Sequence, residues 1–348
     1  MMIVSASGAV FIIAFDPVTS HSAADETATT AERGSVVAST DASPENGDSR
    51  ANPIPRGVAG STPNWTVEID RVSRGEEAEQ LLELDRRLLP DTGNGRELVA
   101  IGLRVEAHAT LGGDQILDGK SFSLSGERGV RYDALDLRGV PKLLDTHVEP
   151  GGSADGFVAF SVAPDETNLI LEFRPISLSD QDDWIYLAAT EGASATAIDP
   201  GIEVAPDGGL DTTHPAPAGS WVSTGSVAAR VLNTISGADT RAFIIGALHG
   251  DPEDYPEEQG FVAVQLEVAN VGEETGFIRV SARSFEVASD EAEIREALTE
   301  PPILDARLYP GGRTEGWLVL QVIDEDLPAL VLRGAGPGEQ RYLHIGEG

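Results

Sequence analysis

Cysteine is absent from the 348 residues. Its absence excludes disulfides, thiolate zinc sites, a cysteine nucleophile and a lipid-modified cysteine anchor. Lysine is nearly absent: Lys120 and Lys142 stand alone, and arginine carries the rest of the positive charge. With 58 acidic against 24 basic side chains the net charge is −34. No basic stripe exists to neutralise phosphates, so nucleic acid is not an expected partner. The apolar N-terminal stretch Met1–Phe15 falls short of the roughly twenty residues a membrane helix needs, so no stable transmembrane span is expected. No Gly-x-Ser-x-Gly elbow occurs. The six histidines, His21, His108, His147, His214, His249 and His344, show no metal-ligand spacing. No catalytic set, cofactor or enzymatic activity is therefore expected.

What is present begins with the acidity, which is spread over the whole chain. Near 1 M salt the Debye length is about 3 Å, so such a surface is screened there and stays hydrated. The composition thus points to a halophile. Residues 1–24 read as a signal-like hydrophobic segment, with Ser22-Ala23-Ala24 as a small-residue cleavage site but without a basic n-region. Residues 25–51 form an acidic, Ser/Thr-rich stretch too poor in apolar side chains to order itself, and are expected to be a disordered stalk.

The rest of the chain repeats. Leu143–Phe157 (LLDTHVEPGGSADGF) returns as Ile303–Trp317 (ILDARLYPGGRTEGW). Proline presets φ and glycine accepts positive φ, so each copy reads as strand, Pro-Gly-Gly hairpin, strand. The phrase at Asn52–Gly57 (NPIPRG) returns at His214–Gly219 (HPAPAG), each before an alternating run that begins at Trp65 or Val227. The strongest strands put Val99, Ile101, Leu103 and Val105, or Val262, Val264, Leu266 and Val268, on one face. Glu76–Leu89 looks helical alone. Its counterpart Ala238–Leu248 looks like a strand, and because equivalent segments should share one conformation, both are expected to be strands. The fold class that follows is all-β: two tandem antiparallel sandwiches at 52–190 and 214–348, joined by a flexible Gly/Ala/Pro/Asp-rich linker at 191–213.

The phrases NPIPRG, LVAIGLRV, SFSL, VEPGGSADGFVAFSV and WIYL, with their second copies HPAPAG, FVAVQLEVAN, SFEV, LYPGGRTEGWLVLQV and RYL, resemble the immunoglobulin-like extracellular domain of bacterial and archaeal surface proteins and lipoproteins. That family is a domain of unknown function, sometimes mislabelled after a telomeric-repeat-binding factor. The resemblance implies exported immunoglobulin-like sandwiches at the cell surface and carries no catalytic residues.

The expected function is a non-enzymatic, extracellular module in contact with a protein or glycan of the cell envelope. The alternatives are an accessory or hydrolytic domain of an envelope enzyme, or a structural spacer. Contact is expected at two equivalent loops, Asp91–Gly95 and Gly250–Gly260. Asp251, Glu253 and Asp254 are a weak calcium candidate, since hard cations take oxygen ligands, although the EF-hand glycine is missing. Asn64-Trp65-Thr66 is a glycosylation sequence, with Asn64 as acceptor. Trp65, Trp184, Trp221 and Trp317 could make a sugar platform, but packing is the stronger reading. Gly334–Gly338 is glycine-rich without the following helix that a dinucleotide loop requires.

Overall fold

The computed structural model describes residues 47–83, 96–109, 113, 115–137, 140, 142–175, 184–195, 201–204, 208–248, 250–257, 259–273, 276–288, 292–295, 304–322, 329–334 and 339–346. The expected signal segment lies outside them, as does the stalk up to residue 46.

The chain from residue 43 onward is one compact unit, mostly β-sheet with two helices. Its first half carries β1 (Gly60–Ser61), β2 (Trp65–Arg74), α1 (Gly75–Leu82), β3 (Glu97–Ala107), β4 (Gln115–Leu117), β5 (Phe122–Ser125), β6 (Val130–Asp133), β7 (Thr146–Val148), β8 (Ser153–Val162), β9 (Ile170–Phe173) and β10 (Ile185–Ala188). The second half carries β11 (Val222–Thr224), β12 (Val227–Ile235), α2 (Asp239–Ala247), β13 (Gly260–Asn270), β14 (Ile278–Ser281), β15 (Phe285–Val287), β16 (Ala292–Arg295), β17 (Asp305–Leu308), β18 (Arg313–Val322), β19 (Leu330–Leu332) and β20 (Arg341–Leu343).

The strand order β1-β2-β3-β8 recurs as β11-β12-β13-β18, and β5-β9-β10 recurs as β15-β19-β20. A bulge interrupts β2–β3 between Ile69 and Arg71, and its counterpart interrupts β12–β13 between Val231 and Asn233. The proline phrases also match: Ile54 bridges Leu187, and Ala216 bridges Leu343, each pinning the start of its half to the last strand in parallel.

The alternation read from the sequence holds. Val99, Ile101, Leu103 and Val105 of β3 point into the main core, as do Val262, Val264, Leu266 and Val268 of β13. Sheet packs on sheet there: Trp65 of β2 meets Phe173 of β9 edge to face, at 5.8 Å between ring centroids.

Three expectations are corrected. The segments after β2 and β12 are helices. In α1, Ala78 and Leu82 lie four residues apart and pack on Leu98, Ala100, Leu137 and Ala159. In α2, Ile244 packs with Leu248, Tyr255, Phe261 and Val319. Each helix thus covers the outer face of its sheet. This burial decides the conformation, and the strand propensity of Phe243-Ile244-Ile245 yields to it. Second, the Pro-Gly-Gly turn is not a hairpin. It is a corner: β7 pairs with β4, whereas β8 after the turn pairs with β3. The turn is fixed by Gly151 N–H to Ala107 O (2.9 Å) and Ala107 N–H to Gly152 O (2.9 Å), and Gly311, Gly312 and Asn270 repeat the pattern.

Third, the ends of the expected stalk and linker are tied down. Tyr186 N–H donates to Gly47 O (2.9 Å), Ala195 N–H to Arg50 O (2.8 Å) and Tyr342 N–H to Gly209 O (2.8 Å). The halves themselves share a sheet. Its order is β10-β9-β5-β6-β17-β14, so β6 of the first half pairs with β17 of the second.

Candidate functional site

The loop between α2 and β13 is the expected contact loop that the structure describes, apart from His249 and Glu258. Tyr255 is its plug: the ring is fully buried and meets Phe261 edge to face at 5.2 Å. Arg241 of α2 clamps the backbone, donating from Nε to Tyr255 O (2.5 Å) and from Nη2 to Pro252 O (3.4 Å). Gly250 N–H returns to Ile244 O (3.0 Å). The consequence is a fixed loop whose Asp251, Glu253, Asp254 and Glu257 side chains are exposed. Asp251 spends its carboxylate as a cap, accepting from Glu253 N–H at 3.0 Å. Among the described residues no group of three or more acidic or histidine side chains converges as a metal site, so Asp251, Glu253 and Asp254 are not gathered into a ligand set. The equivalent loop, Asp91–Gly95, lies outside the described residues.

Asn64 sits at the entrance to β2 and is only 8% exposed, so attaching a glycan to the folded chain requires this entrance to open. The four tryptophans stand apart. Trp65 is core, and Trp317 packs on Phe243 at 4.7 Å. Trp221 lies under the Arg230 guanidinium at 4.9 Å, and Trp184 lies under that of Arg174 at 5.3 Å. His108 bridges Thr66 Oγ1 (2.9 Å) and Pro63 O (3.0 Å), a loop fastening. Part of the glycine-rich segment, residues 335–338, lies outside the described residues.

A polar cluster at the seam between the halves was not anticipated. Glu172 of β9 is 7% exposed. Its Oε2 accepts from Tyr309 Oη at 2.6 Å and from Ser123 Oγ at 3.2 Å, and Arg131 Nε stands 3.7 Å away as an ion pair. Arg50 lies 3.8 Å over the Tyr309 ring and donates to Ser125 Oγ at 3.0 Å. Phe277 meets Tyr309 edge to face at 6.0 Å. Burial, then the Glu172 charge, raises the Tyr309 pKa well above the ordinary phenol range, and the same two causes push Tyr186 up to about 12. A second buried carboxylate, Glu166, accepts from Tyr132 Oη (2.6 Å) and Arg128 N–H (2.9 Å). Burial and Glu166 raise the Tyr132 pKa in turn.

Two sequence signals pointed to this seam. Tyr309 stands where the first copy has Glu149. Glu172 is a charge inside the apolar run Ile170–Phe173, and by ladder position its counterpart is Val331. Each departs from the repeat where two surfaces meet.

No helix among the described residues is long and apolar enough to cross a membrane. No protein-family model and no curated protein matches the chain. Three bacterial structures are similar to part of it. A candidate lipoprotein of Bacillus subtilis, ycdA, is 17% identical over 38% of this chain and 38% of its own length, with a TM-score of 0.32. The yjhA protein of the same organism is 13% identical over 39% of this chain and 98% of its own, with a TM-score of 0.28. A functionally unknown protein of Listeria monocytogenes is 10% identical over 39% and 83%, with a TM-score of 0.28.

Proposed function

We propose that this chain is an exported, non-enzymatic cell-surface module of two tandem immunoglobulin-like sandwiches, which binds a protein or glycan of the envelope in a salt-rich habitat. The repeated strand order, bulge and proline clips support the tandem reading. The observation that carries the binding role is the loop after α2. Its apolar side is locked into a small core by Tyr255, while its carboxylates face outward. A loop ordered in advance loses little entropy on binding, and loops on a rigid scaffold are where recognition concentrates.

The test is capture from envelope extract with wild type and with the variant Glu253→Gln, Asp254→Asn, Glu257→Gln, which keeps Tyr255 and the Asp251 cap. Loss of the captured set in the variant supports the loop as the contact surface. An unchanged set rejects it, and no capture by wild type favours the spacer reading. Turnover of a chromogenic ester or glycoside panel favours the enzyme reading.

A further inference from the structure

The strand leading into the corner turn occurs twice in this fold, once covered and once bare. In the second half β17 lies between β14 and β6. In the first half β7 has β4 on one side and, among the described residues, no strand on the other. The covered copy shows which groups the bare edge presents. Tyr309 N–H donates to Gly129 O (2.9 Å), so by strand alternation Tyr309 and Arg307, which lies opposite Arg131, turn their backbone groups to β6, and Ala306 and Leu308 turn theirs to β14. By the same alternation and the equivalent register on β4, Thr146 and Val148 turn their backbone groups to β4. That leaves the N–H groups of His147 and Glu149 aimed outward, while the Glu149 carbonyl accepts from Gly152 N–H (2.8 Å) within the turn and the His147 carbonyl from Thr146 Oγ1 (3.4 Å).

We propose that this edge of β7 is a strand-acceptor site for a second sandwich-domain protein. The partner adds an antiparallel edge strand with a glycine opposite Glu149 and an arginine two residues further on. The covered copy dictates the glycine. Gly129 has φ +67°, and a Cβ there would lie 2.6 Å from the Gly312 Cα. Gly152 occupies the place of Gly312, so the incoming strand meets the same close turn. Charge dictates the arginine. Glu149 replaces Tyr309, and Asp145, just before β7, is also exposed, while Asp155 beyond the turn pairs with Arg104 at 3.9 Å. An arginine placed like Arg131 stands opposite His147 and diagonal to Glu149, within reach of its carboxylate.

A second copy of this chain fits poorly. Its own β6 is occupied by β17. Main-chain bonds along an open edge supply affinity, and the side chains select the partner.

The probe is a labelled peptide of residues 126–134, the strand that covers the equivalent edge, titrated into the full chain. Saturable binding is expected, with the His147 and Glu149 amides slowed in hydrogen exchange. His147→Pro removes one outward N–H and leaves the β4 ladder whole, a placement edge strands tolerate. It should keep the melting temperature and weaken binding at least tenfold. A peptide carrying Arg131→Glu should bind correspondingly less. No saturable binding, or equal binding to His147→Pro, overturns the proposal. Self-association of the wild-type chain that His147→Pro abolishes overturns the choice of partner.

Discussion

Replacing Tyr309 by Phe removes one hydroxyl and leaves the ring. The Arg50 contact at 3.8 Å and the Phe277 edge contact at 6.0 Å both survive. What is lost is the 2.6 Å bond to Glu172. A hydrogen bond to a charged group contributes about 1.5–3 kcal/mol. Glu172 keeps Ser123 and the Arg131 ion pair, so the loss should be near the middle, about 2 kcal/mol. With a urea slope of about 3 kcal/mol/M for a chain this size, the midpoint should fall by roughly 0.7 M. Because donor and acceptor belong to different halves, calorimetry should also show a broadened or split transition where wild type shows one. The double-mutant cycle with Glu172→Gln isolates the pair, and its coupling should exceed about 1 kcal/mol. A midpoint within 0.1 M of wild type, or additive single effects, refutes the idea that this bond joins the halves.

Three further outcomes follow from the same geometry. The folded-state pKa values of Tyr132, Tyr186 and Tyr309 are raised, so their contribution to stability is complete below the unfolded phenol value of about 10 and is lost as pH climbs through the folded values. Alkaline melts above pH ~10 should show steep loss, and Tyr309→Phe should flatten the curve; a flat wild-type profile from pH 9 to 12 contradicts this. Gly129→Ala places a Cβ 2.6 Å from Gly312 at φ +67° and should cost more than about 1 kcal/mol, read by urea unfolding, whereas Gly151→Ala, in open space though also at positive φ, should cost less. Finally, the melting temperature should rise between 0.1 M and 3 M KCl as the net charge of −34 is screened; no change across that range removes the argument for a salt-rich habitat.

How much was legible depended on the range of the interaction. Core strands showed through period-two patterning, because one face of Val99–Val105 and of Val262–Val268 meets the opposing sheet. The repeat marked equivalent strands in the two halves, whose orders β1-β2-β3-β8 and β11-β12-β13-β18 match. The helices were misjudged for a definable reason. In Ala238–Leu248 the local run Phe243-Ile244-Ile245 favours extended chain, and the deciding partners, Tyr255, Phe261 and Val319, come later in the sequence. The first copy held the better signal, since Ala78 and Leu82 share a helical face and Glu76 and Glu77 suit a helix N-terminus.

The seam was the least legible part, because the symmetry that made the halves readable breaks there. Where the two halves of like strand order share a sheet, the corner turn of the second is covered and that of the first, among the described residues, has no strand against it, so equivalent positions come under opposite demands. Tyr309 must be large, and neutral beside the Glu172 carboxylate; Glu149 at the same place is exposed and charged. Glu172 needs Tyr309 as a donor, while Val331, its counterpart, is an apolar side chain buried on the face of β19 opposite the core-facing Leu330 and Leu332. Departures from a repeat, read by ladder position rather than by residue similarity, therefore mark where one copy touches the next. Applied to β7, the same reasoning identifies the edge that the chain leaves open to another protein.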